Sequence, residues 1–177
     1  LSGEYVFTSV SDEEKIEWLD EVYKYIKNFD KEYSAKNGWG PSVRLTTVQP
    51  SGTLSLLPGV TPGIHPAFAP YYIRRVRFNS VDPLVDVCRK RGYKIVWDKG
   101  LDGREDHTKY VVEFPCKSPE NSVLAKNMTA VDQLEWVKKL QTIWADNAVS
   151  VTVYYRKEEL ESIKEWLSKN YDKSIKS

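Results

Sequence analysis

The sequence predicts an α/β fold built around a largely parallel sheet or barrel, with a β-hairpin inserted in it. Amphipathic helical patterns alternate with β-branched runs along the chain. Two of those runs, near Val48 and Val151, look central, and each is joined to flanking helical patterns as parallel strands require. A third observation is Asp102-Gly103, which lies between two further strand-like runs and signals a hairpin turn. At 177 residues the chain is long enough to bury a real core, and a single domain over residues 1–177 is expected.

Each element has its own local cause. Ser11-Asp12-Glu13-Glu14 reads as a capping box, and behind it Ile16, Leu19, Val22, Tyr23, Ile26 and Phe29 recur at helical spacing to about Tyr33. That pattern predicts one buried stripe on a long helix, ended by Asn37-Gly38. Val43 to Val48 then reads as a strand stopped by Pro50. Tyr71 to Phe78 alternates as a second strand. Asp82-Pro83 opens a short helix with Leu84, Val87 and Cys88 inward, and Gly92 closes it. The hairpin follows, with strands over Tyr93–Trp97 and Thr108–Phe114. Thr129 caps a helix whose buried face is Leu134, Val137, Leu140, Ile143 and Trp144. Val149 to Tyr155 is β-branched at most positions, which predicts a strand covered on both faces. Glu158 to Tyr171 is a last amphipathic helix with Leu160, Ile163, Trp166 and Leu167 inward, and a polar tail from Asp172 is expected to fray.

Composition removes several function classes. The formal net charge is +1 with mixed signs, so nothing favours a nucleic-acid partner or a membrane surface. Six tryptophans and eleven tyrosines argue for a folded chain. There is no apolar run of bilayer length and no signal-peptide pattern. Cys88 and Cys116 form neither a metal-ligand spacing nor a disulfide framework, which places the protein by default in a reducing cytoplasm. The opening Leu1-Ser2-Gly3 suggests a processed product or a piece of something longer.

The candidate site is the turn after the first central strand, Pro50-Ser51-Gly52-Thr53-Leu54-Ser55. Free amides, hydroxyls and the positive end of a short helix suit a phosphate, and Gly52 lets an anion approach the backbone. The same residues also suit a plain helix cap, the commoner reading of such a stretch taken alone. It is not a Walker loop, because the Gly-Lys-Ser/Thr ending is missing. His65, in a loop of turn formers, is framed by no second histidine or nearby acid and is more simply structural. Arg74, Arg75 and Arg77 offer an anion site, but a solvated or acid-paired strand face is the plainer reading for Arg74 and Arg75. Cys88 reads as a small core residue, and Cys116 lacks an activating partner.

Taken together, Thr46-Thr47-Val48-Gln49-Pro50-Ser51-Gly52-Thr53, Tyr72-Ile73-Arg74-Arg75-Val76-Arg77-Phe78, Asp82-Pro83-Leu84, Gly92-Tyr93, Val112-Glu113-Phe114-Pro115 and Trp144 to Thr152 resemble ribonucleotide reductases in order and spacing. The likeness is nearest to the adenosylcobalamin-dependent, monomeric (class II) type that reduces ribonucleoside triphosphates, and it runs from about Val6 to Ser177. It implies the later part of a ten-stranded α/β barrel, with Pro50, Ser51, Gly52, Thr53, Leu54 and Ser55 holding the substrate's phosphate. It also implies an allosteric, nucleotide-binding oxidoreductase of deoxyribonucleotide biosynthesis and DNA replication, using vitamin B12 as its radical source.

The departures limit what the resemblance transfers. In the family the radical cysteine, the redox cysteine pair and the Asn/Glu pair that moves protons lie earlier, and none has a counterpart here. No catalytic or metal-binding residue is therefore assigned, and no activity or bound cobalamin is expected of this chain alone. A C-terminal fragment of the catalytic barrel is expected to need its N-terminal portion or to self-associate, because open strand edges and an uncovered inner face favour association. The alternative is a stand-alone nucleotide-binding or regulatory domain derived from the same fold.

Overall fold

The computed structural model describes residues 10–49, 60–120 and 122–175. Its order is α1 (Asp12–Lys36), β1 (Tyr71–Asn79), α2 (Pro83–Lys90), β2 (Lys94–Lys99), β3 (Glu105–Lys117), α3 (Ala130–Ile143) and α4 (Leu160–Ser174). The chain divides into two compact units. One comprises residues 1–69 and 119–177, and the other is the insertion Pro70–Ser118.

In the first unit, α1 starts at Ser11, whose side chain accepts the Glu14 N–H, half of the expected capping box. It ends in a Schellman motif. Gly38, at φ 73°, is left-handed. Its N–H donates to Ala35 O, the Trp39 N–H donates to Ser34 O, and Trp39 packs edge-on against Tyr33. The single buried stripe is corrected: Ile16, Leu19, Tyr23 and Ile26 are half-buried, whereas Val22 and Phe29 stand exposed with Trp18, Tyr25 and Tyr33.

α3 opens with a complete capping box between Thr129 and Asp132. It buries Leu134 and sends Val137 and Leu140 into a core shared with Val48, Ile64 and Val149. α4 packs on α3 through Trp166, whose indole N–H donates to Glu135 at 2.6 Å, and through Lys138, which donates to Asn170 at 2.8 Å. Leu160 lies exposed at its start, while Ile163 and Leu167 are half-buried. The helix runs on to Ser174, past the point where fraying was expected.

The two runs expected to be central strands lie side by side and parallel, joined by one bridge, Val48 to Val149. They form no extended ladder. The run after Val149 alternates between covered and exposed residues, so the expectation of burial on both faces is corrected. Chain from elsewhere would be needed to cover the second face.

The insertion is an open antiparallel sheet in the order β1-β3-β2, with α2 against it. The expected hairpin is present, and Gly103 at φ 79° makes its turn. The expectation of a largely parallel sheet is therefore corrected: the one regular sheet is antiparallel and three-stranded, and the described residues form no ten-stranded barrel. One face of this sheet carries Val112, fully buried, with Trp97 stacked on Tyr110 at 3.9 Å and Tyr93 tilted against Phe114 at 4.8 Å. In α2, Val85 is buried while Leu84 and Val87 are exposed, which reverses the expected inward set. The insertion's ends meet, with the Ser118 N–H donating to Pro70 O at 2.9 Å. The first unit closes over the interruption through its own parallel bridge between Ala67 and Leu124.

Leu140→Ala is expected to cost about 2–5 kcal/mol, because the residue is fully buried in the core, whereas Leu140→Met should cost less than about 1.5. Urea denaturation of the three proteins checks the ranking.

Candidate functional site

The site is built on the two parallel extended segments, residues 43–49 and 147–153. Because they run the same way, both leave the core at their carboxyl ends. In α/β folds that edge holds the ligand-binding loops. In the sequence the first segment is followed by Pro50 to Ser55. The second leads into Tyr154, Tyr155 and Arg156.

Side chains set this register. The Asn147 N–H donates to Thr46 O at 3.0 Å and the Ser150 N–H to Val48 O at 3.1 Å. Thr46, 4 % exposed, donates its hydroxyl to Trp144 O and accepts the Asp146 N–H at 3.2 Å. The Asp146 carboxylate accepts the Leu45 N–H at 2.9 Å and the Tyr23 hydroxyl at 2.7 Å, which ties α1, the first segment and the turn after α3 together. The Leu45 N–H is the main reason the Asp146 carboxyl is held below the usual carboxylate range, with the Tyr23 hydroxyl adding to it. The same bond pushes the Tyr23 phenol up.

The second segment is held almost wholly by side chains. Gln141 donates to Ala145 O and Asn147 O, both at 2.9 Å, and accepts the Val149 N–H at 3.2 Å. Gln133 accepts the Tyr154 N–H at 2.9 Å and donates to Tyr154 O at 2.8 Å, as a neighbouring strand would. His65 Nε2 accepts the Thr152 N–H at 2.9 Å, so Nδ1 carries the proton and donates to Pro62 O at 2.7 Å. Both ring nitrogens are thus engaged, in the structural role expected for this histidine.

Beyond Val153 the chain borders an open groove of about 250 Å³, lined by Phe68, Lys126, Met128, Tyr154, Tyr155 and Arg156 among others. Glu159 also lines it, but its carboxylate is spent on the backbone N–H groups of Arg156 and Ala130 at 2.6 and 3.0 Å. Those bonds lower its pKa.

Pro50, Ser51, Gly52, Thr53, Leu54 and Ser55 lie outside the described residues. Arg75 and Arg77 border one groove but are each paired with an acid. Arg75 pairs with Glu113 at 3.0 Å and Arg77 with Asp98 at 2.7 Å, while Arg74 has the opposite strand parity. Cys88 and Cys116 are free thiols, both partly covered. Among the described residues no group of three or more His, Cys, Asp or Glu is placed to hold a metal ion, and no helix is long and apolar enough to cross a membrane. Sequence reading passed over Gln133, Gln141 and Asp146. The available signal was polar residues interleaved with the inward stripe of α3: Gln133 and Gln141 lie four residues either side of Val137.

Comparison with known proteins agrees with this geometry. Residues 14–177 match the family model described as ribonucleotide reductase, barrel domain. An adenosylcobalamin-dependent ribonucleoside-triphosphate reductase of Lactobacillus acidophilus is 36% identical over 99% of this chain and 23% of its own length. The reductase of the same description from Lactobacillus leichmannii is 32% identical over 93% of this chain and 22% of its own length. A crystal structure of a B12-dependent (class II) ribonucleotide reductase superposes with a TM-score of 0.74 at 32% identity, covering 89% of this chain and 22% of that one. The chain therefore spans less than a quarter of the length of the relatives it matches.

Two expectations concern the clamp. The folded pKa of Asp146 lies below its unfolded value, so its stabilisation is complete above about pH 4 and is lost as pH falls through the folded value. Asp146→Asn is expected to destabilise by about 1–3 kcal/mol at neutral pH. Thermal melts should show that deficit shrinking towards zero in strong acid. His65→Ala removes the acceptor of the Thr152 N–H, which lies exposed and can turn to water, and should cost about 0.5–1.5 kcal/mol, read by urea denaturation.

Proposed function

Because this chain belongs to the ribonucleotide reductase barrel-domain family, we propose that it is the substrate-phosphate-anchoring piece of an adenosylcobalamin-dependent ribonucleoside-triphosphate reductase. The observation that carries this reading is the parallel register of Val48 and Val149. It supports the reading because Pro50 follows that paired segment directly in the sequence, and in such folds the residues after the carboxyl ends of parallel strands bind ligands. Pro50, Ser51, Gly52, Thr53, Leu54 and Ser55 supply amides and hydroxyls for the phosphate, and Gly52 removes the Cβ that would block its approach. Rigid positioning is the contribution of this piece. Holding the ribose in register against a radical formed elsewhere is worth several orders of magnitude in rate.

The rest of the chemistry belongs to the remaining polypeptide. Adenosylcobalamin supplies radical chemistry to the complete enzyme when it is bound. No residue of this chain is assigned to hold that group, and His65 has both ring nitrogens engaged by the backbone. Cys88 and Cys116 have no assigned redox role, and the chain on its own is proposed to be inactive.

In the chain recombined with the remainder of the Lactobacillus acidophilus relative, Ser51→Ala/Thr53→Ala is expected to raise KM for ribonucleoside triphosphate tenfold or more. The basis is the loss of charge-assisted bonds of about 1.5–3 kcal/mol each. The melting temperature of the chain should not change. Unaltered KM and turnover in the folded double variant would remove the loop from this role.

A further inference from the structure

α1 carries more apolar surface than its described neighbours cover. At about 100° per residue, Ile16, Leu19, Tyr23 and Ile26 form one arc facing the core and Asp146. Trp18, Val22, Tyr25, Phe29 and Tyr33 form a second arc, about 100° further round the helix, exposed by 46, 48, 70, 56 and 51% respectively. This second arc is continuous. Tyr25 stacks on Phe29 at 6.5 Å and Phe29 on Tyr33 at 5.8 Å, and Tyr33 meets Trp39 at 6.2 Å. A helix covered on one side needs an apolar stripe of roughly 100°, and α1 has nearly twice that. Five large side chains plus Trp39 in one row are far from the scattered apolar residues of an ordinary surface.

The segment that α1 leads into shows no such deficit: residues 46–48 take backbone partners from residues 147–150 along one side, while the Leu45 N–H donates to Asp146 at 2.9 Å and Thr47 O accepts the Trp144 indole N–H at 3.2 Å. The unfilled surface is that of α1 itself, and one further helix laid beside it is the element that would cover it. The relatives are more than four times as long as the part this chain matches, so polypeptide of the right kind exists in them.

We infer that the Trp18–Val22–Tyr25–Phe29–Tyr33 face, continued by Trp39, is the seat of an amphipathic helix from the remaining reductase polypeptide. The inference rests on the proposed function, because it takes its occupant from the same enzyme. The occupant's contact stripe is apolar, with small or branched side chains that seat between stacked rings. Its polar residues lie outside the contact.

The test co-expresses the full 177-residue chain with the Lactobacillus acidophilus relative from which the matching segment has been deleted, so that the truncated partner can fold on this chain. Co-purification and titration read the complex. Tyr25→Ser/Phe29→Ser should weaken it at least tenfold while leaving the melting temperature of the chain by itself unchanged. Lys24→Ser/Asn28→Ser, on the charged arc, should leave the complex intact. A complex equally tight with the aromatic double variant overturns the face assignment and leaves the proposed function standing. Failure of the wild-type chain to capture or solubilise the partner overturns both. A wild-type dimer in sedimentation that the double variant abolishes, with no capture of the partner, reassigns the face to a second copy.

Discussion

The first unit depends on side chains that take over the work of a β-ladder. A chain segment inside a core must satisfy each buried N–H and C=O, and a neighbouring strand is the usual supplier. Here residues 145–154 have a strand neighbour only near Val48. Gln141, Gln133, His65 and Thr46 supply the other bonds, and Asp146 ties the turn itself to the first segment and to α1. Such a set of bonds has strict geometry. It fixes which residue of the second segment lies opposite Val48, and hence which side chains face Leu140 and Val137. A polar network of this sort favours one arrangement because every alternative leaves a buried group unpaired.

That constraint holds the two parallel segments in one register. The parallel register brings Val48 beside Val149, and the second segment runs on to the groove bordered by Tyr154 and Arg156. The insertion between them does not interrupt the register. The first unit bridges Ala67 to Leu124 across its own gap, and residues 70–118 have a core of their own around Val112. An independently cored excursion whose ends meet adds little strain to its host.

The exposed apolar surface has a matching logic. The outer arc of α1 is apolar yet lies open, and the uncovered side of the 149–155 run carries Ser150, Thr152 and Tyr154. The chain spans less than a quarter of its relatives, which is why we propose further polypeptide as the occupant of the outer arc of α1. Two expectations failed here for the same reason. The stripe of α1 and the double-sided strand are patterns suited to burial by neighbours that these residues do not themselves provide.

Local signals were legible in the residues alone. Ser11, Asp82-Pro83 and Thr129 start helices, Gly38 and Gly92 end them, and Asp102-Gly103 turns the hairpin. Each acts through its own dihedrals or through a bond spanning a few residues. The family was legible too, because its motifs are collinear. Tertiary structure alone decided that Val85, and not Leu84 or Val87, is the inward residue of α2, and that Arg75 and Arg77 are spent on Glu113 and Asp98. It alone decided that two glutamines on α3 would serve as a strand. A glutamine's partner is set by which backbone atoms stand 3 Å from its amide, and when those atoms lie up to 21 residues away no local pattern records them.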